Sequence, residues 1–93
     1  MTWDVSFTDA TWRDLDKLPE KVRQAIVEFA VYTLPENPLR MSKPLHDEFK
    51  GIQSARRGDY RVLFVLDDET GRLVVVRARH RQHAYRLPVP IWE

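Results

Sequence analysis

The sequence contains no cysteine, and this absence is the first of several that narrow its chemistry. Without cysteine the chain cannot form a disulfide scaffold or a thiolate nucleophile, and the usual zinc-finger ligands are missing. The absence is consistent with a reducing compartment, so we expect a cytoplasmic protein. No apolar run approaches the roughly 20 residues that a membrane span needs. The opening MTWDVSFTD lacks a charged segment followed by an apolar stretch, so we expect neither a signal peptide nor a membrane partner.

Glycine is also scarce, and the three that occur are Gly51, Gly58 and Gly71. Their positions do not form a loop that cradles the phosphates of a nucleotide. The three histidines, taken with Asp47 and Glu48, show no recognised spacing of metal ligands. No local motif suggests a Ser-His-Asp set. We therefore expect a protein without a cofactor and without a metal site.

The length and the charge distribution say more than the absences. The chain has 93 residues, so we expect one domain over 1–93 with a short C-terminal tail over 87–93. Residues 1–49 carry a net charge of −3 and residues 50–86 carry +5, which Glu93 brings to +1 overall. Such segregation indicates an anionic partner. The alternative is a solvated strand face whose cations are balanced by acidic helices.

Alternating apolar residues at Trp3, Val5 and Phe7 predict a half-buried first strand. Thr8 or Asp9 then has the side chain to cap the helix that follows.

A second helix follows Pro19, which ends the first helix and suits the first turn of the next. It is predicted to run to about Leu34, and the two helices should form an antiparallel hairpin. Its core face repeats at intervals of three and four residues: Val22, Ile26, Phe29 and Thr33. The prolines between Pro35 and Pro44 predict an irregular crossing segment.

Three strands are predicted in the remainder of the chain. The residues around Lys50 lead into the first of them, the second covers 60–66, and the third covers 72 to about 80. The hairpin loop 67–71 ends in Gly71, which can take a left-handed turn position. The predicted fold class is α+β: an N-terminal strand, a two-helix hairpin and a C-terminal three-stranded antiparallel meander in one sheet.

Strand alternation gives the basic residues a geometry. In the third predicted strand, Arg77, Arg79 and Arg81 share parity and point to one face. The opposite parity, expected to face the helices, belongs to Val74, Val76, Ala78 and His80. An arginine on the face away from the helices is free to bind phosphate oxygens in a bidentate way. Like charges on one face repel each other, and an anion would relieve that repulsion.

Three residues at the end of the chain are ambiguous by type. Parity places His80 on the core side, where a structural histidine at a strand end is at least as reasonable as a catalytic one. His83 and Tyr85 follow the strand, and a turn can bring either one to the basic face. Tyr85 can supply a hydroxyl for proton transfer or a ring for base stacking, or it can simply close the core.

Several stretches of the chain together resemble one family. They are KPL at 43–45, KG at 50–51, SARRGDYRVLF at 54–64 and HRQHAYR at 80–86. They resemble the centre and the closing motif of the RelE/ParE toxin superfamily, with greater similarity to its RelE branch. The resemblance covers about residues 3–86.

The resemblance implies a RelE/ParE-like fold and a toxin of a type II toxin–antitoxin pair. RelE-like toxins enter the ribosomal A site and cut messenger RNA without a metal, so the implied activity is that of an endoribonuclease that inhibits translation. The implied partners are a cognate RelB-like antitoxin, the ribosome and mRNA, with operator DNA bound only through the antitoxin complex.

The resemblance also assigns roles to single residues. Arg61, Arg81 and Tyr85 match family positions that serve the scissile phosphate and the adjacent base. Where the RelE pattern carries two lysines, this chain has Ile52 and Ser54. The nearby substitutes for these lysines are Lys50 and Arg57.

Metal-free RNA cleavage requires a base for the 2′-hydroxyl, stabilisation of the phosphate charge, and an acid for the 5′-oxygen. We expect Arg61 and Arg81 to stabilise the charge with Arg57 in support, Arg81 to act as the acid, and either His83 or Lys50 to act as the base. The predicted catalytic residues are Arg61, Arg81, Tyr85 and His83. The predicted RNA-binding residues are Lys50, Arg56, Arg57, Arg77 and Arg79.

Two alternatives stay open at this point. ParE-like toxins share the implied fold but inhibit DNA gyrase. A non-catalytic module would use the same basic face only to bind an antitoxin or a nucleic acid.

Overall fold

A computed structural model describes residues 3–84, in which one five-stranded sheet carries two helices on one of its faces. The predicted site residue Tyr85 and the predicted tail 87–93 lie outside these residues. The strands are β1 (Asp4–Phe7), β2 (Ser42–Pro44), β3 (Gln53–Arg57), β4 (Tyr60–Asp67) and β5 (Arg72–His80). The helices are α1 (Asp9–Asp16) and α2 (Glu20–Glu28). Within the described residues, no helix is long and apolar enough to cross a membrane.

The sheet has the order β1-β5-β4-β3-β2. Strands β2 to β5 pair antiparallel, whereas β1 lies parallel to β5. The predicted fold class and the predicted β3–β4–β5 meander are therefore confirmed. Strand β2 is absent from the prediction, which treats its residues as irregular because of the prolines. Pro44 is accommodated because β2 is an edge strand, where a missing N–H group leaves no ladder bond unmade.

The helix ends follow from the residues at the caps. Thr8 is the N-cap of α1, and its Oγ1 accepts a hydrogen bond from the Thr11 N–H group at 3.1 Å. Pro19 precedes α2, as predicted. The regular part of α2 ends at Glu28, earlier than predicted. A π-helical turn over Phe29–Thr33 and a 3-10 turn over Leu34–Glu36 continue its path.

The two hairpins of the meander depend on glycine. Gly58 and Asp59 connect β3 to β4, and Gly58 has a φ of 61°. A positive φ at only the first of two turn residues is the type II′ arrangement, which suits the twist of a hairpin. Gly71, with a φ of 68°, closes the β4–β5 loop in the left-handed conformation that the sequence predicts.

The two faces of the sheet are both partly apolar. On the helix side, buried residues of both layers form the main core: Leu15, Ile26, Ala30, Leu34, Ala55, Val62, Phe64, Leu73, Val75 and Ala78. On the other side, Ile52, Leu63 and Val76 form a smaller cluster covered by Leu45 and Phe49. The segment that includes the 3-10 turn Asp47–Phe49 thus shields part of the face away from the helices.

A β-bulge in β5 changes the alternation that the sequence predicts. Phe64 of β4 lies opposite Val75, but Leu63 lies opposite Arg77, so Val76 is an extra residue. The prediction that Val74 and Val76 face the helices is wrong, because both belong to the smaller cluster on the other side. Beyond the bulge the phase is the predicted one, and Ala78 packs in the main core.

Helix α1 lies along the free edge of β5 beyond the point where β1 ends. β1 stops opposite Val75. The Thr8 N–H and Oγ1 groups donate to the carbonyls of Val75 and Val76 at 3.1 and 3.2 Å, and Thr11 Oγ1 donates to Val75 O at 2.7 Å. The Asp14 carboxylate accepts from the Ala78 N–H group at 3.2 Å. Polar groups of α1 therefore take the place of a neighbouring strand at the bulge.

The substitution Thr11→Val tests this substitute edge. Thr11 is fully buried, and its hydroxyl is bonded to Val75 O. Valine keeps the shape but leaves that bond unmade, so we expect a loss of about 1 to 2 kcal/mol in the free energy of unfolding. The matched control is Thr33→Val, because Thr33 is exposed and the prediction that it belongs to a core face is wrong. Urea denaturation of both variants provides the measurement, and equal midpoints would contradict the proposed role of Thr11.

Candidate nucleic-acid interface

Three arginines stand side by side on the face of the sheet away from the helices. Arg56 of β3 lies directly opposite Arg61 of β4, and Arg61 lies directly opposite Arg79 of β5. Adjacent strands are about 4.8 Å apart, so the three side chains start as immediate neighbours. We call Arg56, Arg61 and Arg79 the arginine row.

Two irregularities of the sheet bring the arginine row together. The two-residue turn at Gly58 fixes the register of β3 against β4, which puts Arg56 opposite Arg61. The bulge at Val76 resets the phase of β5, so that Arg79 faces the same side as Arg61. A regular β5 that kept the phase of Val75 would direct Arg79 toward the helices.

The arginine row carries like charges that no carboxylate of residues 3–84 neutralises. Arg56 is exposed, while Arg61 and Arg79 are half-buried. Within residues 3–84, the ion pair of the structure joins Arg77 to Asp14, and none involves the row. In the described part of the chain, Arg61 Nη1 donates to two backbone carbonyls, those of Tyr60 at 3.2 Å and Gly58 at 3.4 Å. Directly opposed like charges repel, so this surface favours an anion that can bind several guanidinium groups at once.

A groove of about 630 Å³ adjoins the arginine row at the β2 edge of the sheet. Its lining residues include Arg40, Lys43 and His46, together with Arg56 and Arg61. The first three are absent from the predicted RNA-binding residues because the prediction contains no β2. Once β2 pairs with β3, Lys43 lies opposite Ser54, which is two residues from Arg56 and on the same face. The positive surface therefore extends from β5 to β2.

Arg77 does not join this surface. Its Nε and Nη2 groups donate to Oδ2 and Oδ1 of Asp14 at 2.7 and 2.9 Å, which is a bidentate pair. The hydrogen bonds that Arg77 donates to Asp14 raise the pKa of Arg77; burial opposes this rise and the negative charge of Asp14 adds to it. The prediction that Arg77 lies free beside Arg79 is therefore wrong, because the bulge and α1 give it an internal partner.

Two other predicted RNA-binding residues lie apart from the arginine row. Arg57 lies opposite Tyr60, which packs against the main core, so its Cβ points to the helix side of the sheet. There it borders cavities beside α2. Lys50 precedes β3, at the end of the strand opposite to Arg56. Strand alternation predicts that Arg56 and Arg57 point to opposite faces of the sheet. The sequence alone does not indicate which of the two faces the helices.

The end of β5 carries the remaining predicted residues. The Arg81 N–H group donates to Asp59 O at 2.8 Å, which extends the β4–β5 ladder by one step beyond His80. Arg81 and His83 are both exposed in the turn that follows. His83 lies beside His80, with ring centroids 6.4 Å apart.

His80 occupies the side of the sheet that parity predicts. It lies opposite Tyr60, and the two rings meet edge to face at 5.4 Å. Its Nδ1 atom accepts a hydrogen bond from the Gln82 N–H group at 3.2 Å. His80 thus faces away from the arginine row and helps to shape the turn. Among residues 3–84, no group of three or more His, Asp or Glu side chains is placed to hold a metal ion.

Comparison with known proteins identifies the family of this chain. The family model for the ParE toxin of the type II toxin–antitoxin system parDE matches residues 5–85. Toxin RelG of Mycobacterium tuberculosis is 48% identical over 86 residues, covering 92% of this chain and 99% of the relative. Toxin RelE of the same organism is 42% identical over 85 residues, covering 91% of this chain and 88% of the relative.

Solved structures agree with these matches. The toxin–antitoxin complex RelBE2 from Mycobacterium tuberculosis contains a chain that is 47% identical, with a TM-score of 0.83, covering 87% of this chain and all of that one. A mutant of Escherichia coli RelE in the free state has the same fold at 16% identity, with a TM-score of 0.70 and coverage of 90% and 88%. The fold and the sequence matches thus define a toxin of a type II toxin–antitoxin system. Within that class, the chain belongs to the RelE/ParE toxin superfamily, and the resemblance predicted from the sequence is confirmed.

Repulsion within the arginine row gives a testable consequence for stability. Arg61 is the middle member, so Arg61→Gln removes its repulsion with both neighbours. We expect the free energy of unfolding to rise by about 0.5 kcal/mol at low salt, and this gain to shrink as salt screens the charges. The control is Arg72→Gln, because Arg72 lies opposite Asp67 and its removal relieves no repulsion. Thermal unfolding at low and high salt measures the stability of both variants. A destabilised Arg61→Gln variant would contradict the expected repulsion within the arginine row.

Proposed function

We propose that this toxin is a ribosome-dependent mRNA endoribonuclease that inhibits translation. The observation that carries the proposal is the arginine row: three arginines that lie directly opposite each other on adjacent strands, with no carboxylate partner in the described part of the chain. A chain of phosphodiesters is the polyanion that matches such a row, and arginine binds phosphate oxygens in a bidentate way. The identity to the toxins RelG and RelE supports the same proposal.

The chemistry proposed for the row is stabilisation of charge on the phosphate during cleavage. Arg61 has an arginine on either side of it, so a phosphate bound there would contact more than one guanidinium group. Donors directed at the charge that develops in a transition state each contribute a few kcal/mol. Arg79, which the resemblance does not single out, joins Arg61 in this role because the two lie directly opposite each other.

The residues that follow β5 are proposed for the remaining steps. Arg81 would protonate the leaving 5′-oxygen; its N–H group bonds to Asp59 O, and it lies two residues along the chain from Arg79. Tyr85 would orient or stack the adjacent base. Either His83 or Lys50 is proposed as the base: His83 lies beside His80, and Lys50 lies at the far end of β3 from Arg56. The ribosome would provide much of the positioning of the message.

The proposed partners follow from the family resemblance. A cognate RelB-like antitoxin would bind the toxin, and operator DNA would be bound only by the toxin–antitoxin complex. The matching structures include such toxin–antitoxin complexes from Mycobacterium tuberculosis and Pyrococcus horikoshii. Because ribosomes and messages are its proposed targets, we propose the cytoplasm as its site of action.

Arg56 and Arg57 provide a matched pair for testing the interface. They are adjacent, identical in type and both exposed, but they belong to opposite faces of β3. We expect Arg56→Ala to slow single-turnover cleavage on programmed ribosomes by about 10-fold or more, since one phosphate contact is lost. Arg57→Ala should cleave at nearly the rate of the unmodified toxin. Equal effects of the two substitutions would place the RNA elsewhere.

Growth inhibition offers a second test, in living cells. We expect Arg61→Ala and Arg81→Ala each to remove toxicity while the protein still folds, because each removes a proposed contact with the reacting phosphate. Colony counts after induction, with circular dichroism to check folding, provide the measurement. Full toxicity in a variant that combines both substitutions would exclude these residues from the reaction.

A second candidate function is inhibition of DNA gyrase. The description of the matching family model, a ParE toxin of the parDE system, favours it. The two functions differ in their cellular targets, so induction of the toxin in bacteria distinguishes them. Cuts in a reporter message that appear only during its translation support the endoribonuclease. Intact messages together with gyrase-linked DNA breaks support the ParE-like function.

A further inference from the structure

We propose that Asp14 is a positioning residue, whose carboxylate holds the end of β5 so that Arg79 stands beside Arg61. The inference deepens the proposed function, on which its catalytic part rests. Asp14 lies on α1 and outside every motif that the sequence singles out. It acts through the backbone and side chain of β5 and not by contact with RNA.

The carboxylate of Asp14 makes three contacts with two consecutive residues of β5. Oδ2 accepts from Arg77 Nε at 2.7 Å and from the Ala78 N–H group at 3.2 Å, while Oδ1 accepts from Arg77 Nη2 at 2.9 Å. The side chains of Asp14 and Arg77 are only 5% and 15% exposed. A buried carboxylate that contacts a guanidinium and a backbone amide restrains side chain and main chain together.

These contacts lie where β5 has lost its outer neighbour. The pairing with β1 ends at Val75, and the threonine bonds of α1 reach only to Val76. Asp14 therefore provides the contact beyond the bulge on this edge, one residue before Arg79. On its inner edge, β5 pairs with β4, where Arg79 meets Arg61 and the two like charges repel. The repulsion between Arg61 and Arg79 on the inner edge of β5 is thus opposed by the attractive contacts of Asp14 on the outer edge.

The ion pair with Asp14 also withdraws one cation, Arg77, from the site. Arg77 lies two residues before Arg79, opposite Leu63, on the strand segment that follows the bulge. Released from Asp14, its guanidinium would compete with Arg79 for the same phosphate or repel it. The ion pair thus limits the positive surface at this end of β5 to Arg79 and the exposed residues that follow it.

The test compares Asp14→Leu with Asp16→Leu in the full-length toxin. Both substitutions remove one negative charge from α1, but Asp16 is exposed and forms no ion pair in the described residues. Both variants should therefore bind the programmed ribosome equally well or slightly more tightly than the parent. Cleavage separates them: we expect kcat to fall by about 10- to 100-fold for Asp14→Leu without a rise in KM. Asp16→Leu should retain the parent kcat.

A structural readout decides the positioning role independently of catalysis. Nuclear Overhauser contacts between the backbones of Arg61 and Arg79 report the end of β5, and those between Leu66 and Leu73 report its beginning. We expect Asp14→Leu to lose the first contact and to keep the second. An intact Arg61–Arg79 contact in Asp14→Leu overturns the inference, whatever the cleavage rate. A parent toxin that does not cleave RNA overturns the proposed function, and the backbone contacts then decide the role of Asp14 alone.

If Asp14→Leu does not fold, the double variant Asp14→Leu/Arg77→Met takes its place in the test. It leaves no unpaired buried charge, and well-packed apolar replacements of a buried ion pair are usually tolerated. A positioning role predicts that this folded variant still lacks the Arg61–Arg79 contact and the parent kcat. Recovery of both would show that Asp14 only compensates the charge of Arg77, and would overturn the inference.

Discussion

The hydrogen bonds between α1 and the outer edge of β5 are the interaction on which the rest of the structure depends. A parallel neighbour, β1, accompanies β5 only as far as Val75, and the bulge then exposes carbonyl and amide groups that need partners. Thr8, Thr11 and Asp14 supply them from a single helix. Because that helix also packs Leu15 into the main core, the strand edge and the helical layer are fixed together.

The fold was largely predictable because its signals are local. Alternation, the capping threonine and the glycine of a loop each act within a few residues, and they give β1, the start of α1 and the β4–β5 hairpin. Strand β2 was not predictable in the same way. Its three residues end in Pro44, and only pairing with β3 makes them a strand. The early end of α2 at Glu28 is likewise a matter of packing, since nothing at Phe29 forbids a longer helix.

The candidate site was predictable in part. Parity within one strand correctly separates Arg79 from Ala78, but it carries no information about which residue of a neighbouring strand lies opposite. The adjacency of Arg56, Arg61 and Arg79 depends on a turn and a bulge, and bulges have no reliable sequence signal. The fate of Arg77 depends on Asp14, which lies 63 residues away in the chain. Such long-range pairing is invisible to periodicity, and the family resemblance, which selected Arg61 and Arg81, did not contain it.

The arginine row has a consequence for how the toxin persists in a cell. Three like charges held side by side repel each other until an anionic partner binds over them. Any ligand that binds only the folded chain raises its stability by mass action. The toxin without a bound partner is therefore less stable than the toxin with one. Local opening at the end of β5 would expose it to proteases more readily than the covered chain. The side chains proposed to bind RNA would thus also make the lifetime of the protein depend on whether a partner is bound.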